Sequence, residues 1–452
     1  MKAVLYNYDI FPMVFLGDRE QEITIQPLGG HTAFEQGHVY TVKIDKHAES
    51  RPHIYPERGN VTSLEVTPCE DGCLRFTAFF AGEGEFRVNV YDNPEDKSRC
   101  TLGVFSLHED MAGRIPQRGD LHMHTCRSDG REAPTTVAAN YRGHGYDFVV
   151  ISDHRRYYPS LEAKEFFDEM TDLNIVPGEE VHLPLNDVHY VNFGSAYSIN
   201  ALVTPSKNEE KAGTDLAYRS LDGNAPEPMT QEAFIEMIRE KAKDVPRENE
   251  SERLSFAVMQ WVYEHVKAGG GLGIFPHPYW LCPTMQLPED YTEFIYRQKP
   301  FDAFEVLGGE NYYAHNGFQT GFYYEMKAKG IDAPVVGSTD SHGSTEHNRN
   351  ALICSTIVFA KENTPSALIA AIKEKYSIAV DTISTEYRLV GDFRLMKYAS
   401  FLMENYFPLH DLACRAEGYY MNRAIVGDAR AEQILKSMKG QIPELQKKYF
   451  RV

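Results

Sequence analysis

The chain has no run of about 18 apolar residues, which excludes a helix crossing a bilayer on sequence grounds. It also lacks positive charge. Against 65 acidic residues stand 46 lysines and arginines, a net charge of -19, and no basic stripe breaks that balance. A surface of this sign repels phosphate backbones, so no nucleic-acid polymer and no membrane are expected as partners. A small anionic substrate is still allowed, because a bound metal can reverse the local field. No CxxC occurs, so a zinc ribbon has no support. The seven cysteines are scattered and odd in number, and with no secretory cleavage site they point to the cytoplasm. Cys69 and Cys73 bracket the turn Glu70-Asp71-Gly72 and read as reduced thiols at strand ends. Internal repeats and low-complexity tracts are also missing.

Residues 1–112 carry short alternating runs: QEITIQ, VYTVKID, LRFTAFF and EFRVNVY. In the last, Phe86, Val88 and Val90 share one side and Arg87, Asn89 and Tyr91 the other. Turn signals separate the runs, so the expectation is an antiparallel β-sandwich domain with a structural or oligomerisation role; homo-oligomerisation is left open.

From residue 118 the pattern changes. Apolar runs now end in histidines and carboxylates, with helical stretches between many of them: GDLHMHT, YDFVVISDH, NIVPGEEVH, DVHYVNFG, GGLGIFPHP, FDAFEVLGG and APVVGSTDSH. Alternating strands and helices predict an α/β domain with a parallel sheet or barrel, whose site lies at the C-terminal ends of the strands. Residues 195–265 interrupt the alternation with a polar stretch and two helices. The first helix is capped by Thr230 and carries Phe234, Ile235 and Ile238. The second aligns Leu254, Ala257, Val258, Trp261, Val262 and His265. This insertion is either a lid or a peripheral decoration. Residues 386–452 read as a helical extension, with Leu395, Tyr398, Ala399, Leu402 and Tyr406 on one face.

The first histidine pair, His122 and His124, is spaced two apart on a strand, so both imidazoles face one side. Alone this is weak. It is followed by Asp153-His154, Glu179-Glu180, His189, His277 and the pair Asp340, His342, each at a strand boundary. Histidine and carboxylate are the ligands preferred by divalent Zn, Mn and Fe, and so many ionisable groups on one rim are costly to bury without a metal. His182, His265, His315 and His347 read as bland, hydrogen-bonded or surface histidines.

The ordered series HxH, Asp, His, Glu, His, His, DxH, opening on GDLHMHT and SDG, resembles the PHP (polymerase and histidinol phosphatase) superfamily over residues 118–385. The resemblance implies a distorted (β/α)7 barrel with two or three divalent metal ions (Mn, Fe or Zn). It implies nine ligands: His122, His124, Asp129, His154, Glu180, His189, His277, Asp340 and His342. His122, His124, Glu180 and Asp340 would hold one ion; Glu180, His189 and His277 a second; Asp129, His154 and His342 a third. The implied activity is hydrolysis of a small phosphomonoester by a metal-activated hydroxide, with Asp340 also accepting or relaying a proton. Arg131, Arg155 and Arg156 are candidates for binding phosphate, each weighed against a surface salt bridge. Tyr157, Tyr158, Tyr279 and Trp280 are candidates for stacking on a ring, weighed against packing. Three competing readings are another metal hydrolase (amide or lactone), a nuclease-type phosphodiesterase, and a binding protein working through the N-terminal β domain.

Overall fold

A computed structural model describes residues 2–47, 61–207, 219–221, 223–281, 285–308, 313–345, 354–382 and 387–452. His347 and residues 208–218 and 222 of the polar stretch before Thr230 lie outside the described residues. The chain divides into two compact units, each assembled from separated segments: Met1–Ile115 with Phe393–Ala413 and Gly440–Val452, and Pro116–Asp392 with Cys414–Lys439.

The first unit holds two sheets. Tyr8–Phe11, Arg19–Pro27 and Leu74–Phe80 form an antiparallel sheet of three strands. The other has six, in the order Phe450–Arg451, Val14–Leu16, Cys100–Leu107, Gly84–Tyr91, Tyr40–Lys46 and Val61–Val66. Alternation explains the burial: Leu74, Phe76, Ala78 and Phe80 are buried while the residues between them are exposed. Edge contacts from Phe80 to Phe15 (4.7 Å) and to Phe86 (5.1 Å) join the buried faces of the two sheets. The helix Phe393–Asn405 packs Tyr398 and Phe401 on Phe105, at 5.0 and 5.4 Å. The last strand, Phe450–Arg451, runs parallel to Val14–Leu16.

The second unit is α/β, but its strands do not close into the expected barrel. Six strands form one sheet in the order Asn174–Val176, Phe148–Val150, Ile115–Asp120, Cys354–Ala360, Ser377–Asp381 and Arg388–Val390. Five form another: Gly178–Val181, Tyr190–Phe193, Leu272–Phe275, Ala303–Leu307 and Val335–Gly337. Both sheets are mixed, since Tyr190–Phe193 and Ser377–Asp381 run antiparallel to their neighbours. The chain passes from one sheet to the other at Pro177, which has no N–H for a ladder. Gly178 follows because a Cβ there would lie 2.3 Å from the Val150 side chain and 2.5 Å from the Asn192 carbonyl oxygen.

Past the strand ends a parallel backbone bridge joins Met123 to Ser341, and two further seams join the sheets. At one, His154 bridges to Glu180, the Arg155 N–H donating to the Glu180 carbonyl at 2.8 Å. At the other, the hydroxyl of Thr356 accepts from the Gly337 N–H (2.9 Å) and donates to its carbonyl (2.8 Å), taking the place of a ladder. Phe148, Val150 and Val176 from one sheet and Val191, Phe193, Ile274 and Val336 from the other share one core. In the insertion, Gln231–Lys241 is capped by the Thr230 hydroxyl and Glu250–Ala268 by the Asn249 side chain. Their apolar faces meet at Phe234 and Trp261, 5.1 Å apart.

Candidate metal centre

Strand alternation builds the first part of the site. Leu121 and Met123 point into apolar cores, so His122 and His124 face the opposite side together. Both are fully buried. Glu180 lies at their centre. Its Oε2 is 3.5 Å from Nε2 of His122 and of His124, 2.6 Å from Nδ1 of His154 and 3.5 Å from Nε2 of His182. Its Oε1 faces Nδ1 of His189 at 2.7 Å and Nε2 of His277 at 3.8 Å. Asp340 closes the other side, with Oδ1 at 2.9 Å from His124 Nε2 and 3.3 Å from His122 Nε2, and Oδ2 at 3.8 Å from His277 Nε2. Asp129, more exposed, places Oδ2 at 3.4 Å from both His154 and His342 and Oδ1 at 4.0 Å from His124. All nine residues expected as ligands therefore lie in one connected cluster. His277 and Asp340 adopt positive φ (24° and 46°), a strained backbone held where their side chains enter it.

Charge follows from this packing. Burial pushes the Glu180 carboxyl up, but the imidazoles of His189, His154 and His122 outweigh it and hold it well below the carboxylate range. Asp340 is lowered too, its burial overcome chiefly by His122 and His124. The His154 imidazole, opposed by burial, is raised to about 10 by Glu180 and Asp129, whereas burial takes His124 down to about 4.

The donor set fits divalent metal ions. Both Glu180 oxygens, Nε2 of His122 and Nδ1 of His124 and of His189 are buried without a hydrogen bond, which a protein rarely tolerates. Ligand atoms lie within 4.8 Å of one another in four overlapping groups: His124, Asp129, His154 and His342; His122, Glu180 and His277; His122, His124 and Asp340; and His154, Glu180 and His182.

Three nearby carboxylates serve differently. Asp120 accepts from the Thr339 N–H (3.1 Å) and hydroxyl (2.6 Å), fixing the loop that carries Asp340. Asp153 accepts from the N–H groups of Thr125 (2.8 Å) and Ser128 (3.0 Å), fixing the loop before Asp129. Glu179 accepts from the Ser198 hydroxyl (2.8 Å), the Ile199 N–H (2.5 Å) and the Asn200 amide (3.0 Å), tying the insertion to the ligand strand. Burial raises all three, Asp120 to about 7.

Sequence reasoning passed over three residues. His182, read as bland, lies in the cluster, with Nε2 2.8 Å from His154 Nδ1. It stands two after Glu180, the spacing already used for His122 and His124. Glu305, fully buried in the strand Ala303–Leu307, meets His122 Nδ1 at 3.1 Å and orients its other nitrogen toward the cluster. His315, also read as bland, is buried with neither ring nitrogen hydrogen-bonded, and burial pushes it down to about 3. No motif marks Glu305 or His315.

The arginine and aromatic candidates separate. Arg155 is exposed and lines a cavity that also includes His182. Arg156 donates to the Tyr158 hydroxyl at 3.0 Å. Arg131 is exposed, its N–H donating to the His342 carbonyl at 3.0 Å. Tyr157 and Tyr158 are buried, and Tyr279 packs on Phe318 and Phe322, so these three serve packing. Trp280 alone of the four adjoins the cluster, 6.0 Å from His189 and 5.9 Å from His277 between ring centres. Among the described residues no helix is long and apolar enough to cross a membrane.

No family model matches the chain, and no curated protein matches it. Among solved structures it is similar to a two-domain protein of Bacteroides vulgatus, described as containing a PHP-like metal-dependent phosphoesterase. Identity is 15% over 59% of this chain and 65% of that one, just under two thirds of its length, with a TM-score of 0.37. It is also similar to a protein of Bifidobacterium adolescentis described as a metal-dependent phosphoesterase (18% identity, 51% and 89% of the two chains, TM-score 0.32). A third is an amidohydrolase of Chromobacterium violaceum with bound sulfate (15%, 51% and 89%, TM-score 0.31). At these identities the chemistry has to be read from the site itself.

Proposed function

We propose that the protein is a metal-dependent hydrolase that cleaves a small phosphomonoester. The observation that carries the reading is the buried Glu180 carboxylate, ringed by imidazoles and without a hydrogen bond to either oxygen. His122, His124, Asp129, His154, Glu180, His189, His277, Asp340 and His342, joined by His182, would hold two or three ions of Mn, Fe or Zn. Bound there, such ions lower the pKa of water toward neutrality and neutralise charge on phosphoryl oxygens. The protein's own groups do the rest. Glu305 holds His122 in the tautomer that leaves Nε2 as a donor atom. Asp120, Asp153 and Glu179 fix the loops that carry the ligands. Asp340 reaches three imidazoles and is placed to accept a proton from water. Arg131 and Arg156 are the cations available to the phosphoryl group, while Arg155 lines the cavity beside His182.

In this reading residues 118–385 are the catalytic module, an open derivative of a (β/α)7 barrel. Residues 1–112 are a β-sandwich that serves structure or assembly, including assembly of a homo-oligomer, and 386–452 a helical extension. The seven cysteines and the acidic surface favour a cytoplasmic protein with no nucleic-acid or membrane partner.

The test is phosphate release from a panel of phosphomonoesters and cyclic or dinucleotide diesters, with Mn present and Asp340→Ala as control. Release by the parent, reduced about 10³-fold or more in the variant, is expected. Cleavage of amides or lactones with no phosphate release would replace the proposal.

A further inference from the structure

The insertion supplies most of the wall of a cavity of about 740 Å³, a size suited to a small organic ligand. Arg155 and His182 line it from the side of the ligand strand; Asn200, Lys207 and Gln231 line it from the insertion, with prolines and aliphatic side chains between them. His182 is the one member of the metal cluster in this wall, and it touches both His154 (2.8 Å) and Glu180 (3.5 Å). The cavity thus opens beside the cluster rather than over it.

Its charge runs against the rest of the protein. In a chain of net charge -19, no carboxylate is found among the described lining residues, while two cations are. Many arginines here are paired with a carboxylate, as Arg127 is with Glu162, Arg142 with Glu417 and Arg388 with Asp381. Arg155 and Lys207 have no such partner among the described residues. The wall is also fixed in place. Arg155 sits at φ 63° with its N–H bonded to the Glu180 carbonyl. Asn200 is a strut, accepting from the His182 N–H at 3.2 Å and donating to Glu179 at 3.0 Å.

We infer that this cavity receives the leaving-group half of the substrate, and that this half carries an anionic group of its own, a carboxylate, sulfonate or second phosphate, held by Arg155 and Lys207. The inference rests on the phosphomonoester reading and narrows its substrate class. The ions at the histidine cluster answer the charge of the phosphoryl group; the two cations past His182 are left for a second charge.

The experiment compares phenyl phosphate with 4-sulfophenyl phosphate on the Mn-loaded full chain, together with calorimetric binding of phenol-4-sulfonate. The parent is expected to prefer the sulfonated ester by about tenfold or more in kcat/KM, the scale of one charge-assisted hydrogen bond. Arg155→Gln with Lys207→Gln should bring that ratio close to one and weaken phenol-4-sulfonate, while Lys207→Arg keeps the preference. Equal kcat/KM for the two esters in the parent, or a ratio untouched by the double substitution, overturns the inference and leaves the hydrolase reading standing. If neither ester is hydrolysed, the hydrolase reading fails separately and calorimetry decides. Phenol-4-sulfonate binding that the double variant loses supports the anion site; absence of binding to the parent overturns it.

Discussion

Glu179 and Glu180 are consecutive, fully buried and on the same strand, yet they face opposite surroundings. Glu180 points into imidazoles, which can carry charge, and they hold it ionised against burial. Glu179 points to a hydroxyl, an amide and backbone N–H groups, which cannot, and burial raises it. Asp340 sides with the first; Asp120 and Asp153 side with the second. Depth alone therefore does not decide what a buried carboxylate does. The ionisability of its partners does.

The largest effect that would test this contrast comes from Glu180→Ala. Six imidazoles lose their shared carboxylate, so bound metal in the purified protein, measured by mass spectrometry, should drop sharply and turnover by about 10³-fold or more. Full metal content in that variant would break the contrast. Glu179→Ala should act through stability. It strands several buried donors and lowers unfolding free energy by about 3 kcal/mol, read from the denaturant midpoint, with metal still bound. Loss of metal without loss of stability would mean that the two neighbours had been assigned the wrong way round. The smallest effect belongs to a half-buried surface carboxylate: Glu293→Gln removes a surface pair with Arg297 and should change stability by less than about 0.5 kcal/mol.

Much of the site was legible because its residues sit at strand ends in repeating short patterns. His122 and His124 follow from period two, and the pairs Asp153-His154 and Asp340, His342 from polar residues closing apolar runs. Partnerships across long stretches of chain were not legible. Glu305 matters because it meets His122, 183 positions away, and nothing local to FDAFEVLGG says so. Asp153 looked like a further strand-end ligand, and only the loop it braces distinguishes it. The alternating runs of residues 1–112 form strands as expected, including the turn at Glu70-Asp71-Gly72, where the Gly72 N–H bonds the Cys69 carbonyl. In place of a closed parallel barrel there are two mixed sheets, in which Tyr190–Phe193 and Ser377–Asp381 run antiparallel to their neighbours, and an apolar run carries no sign of its direction.

The hydroxyl of Thr356 has a consequence for how this protein tolerates change. A backbone ladder is made of groups every residue but proline owns, so almost any substitution leaves it standing. The seam along Val335–Gly337 is written in side chains instead, the hydroxyls of Thr356 and Ser377. Valine at 356, nearly the same shape and ordinary in a strand, would strip both hydrogen bonds at once, whereas serine would keep them. Along most of this sheet the alphabet of acceptable residues is broad; at position 356 it shrinks to the two that carry a hydroxyl on Cβ.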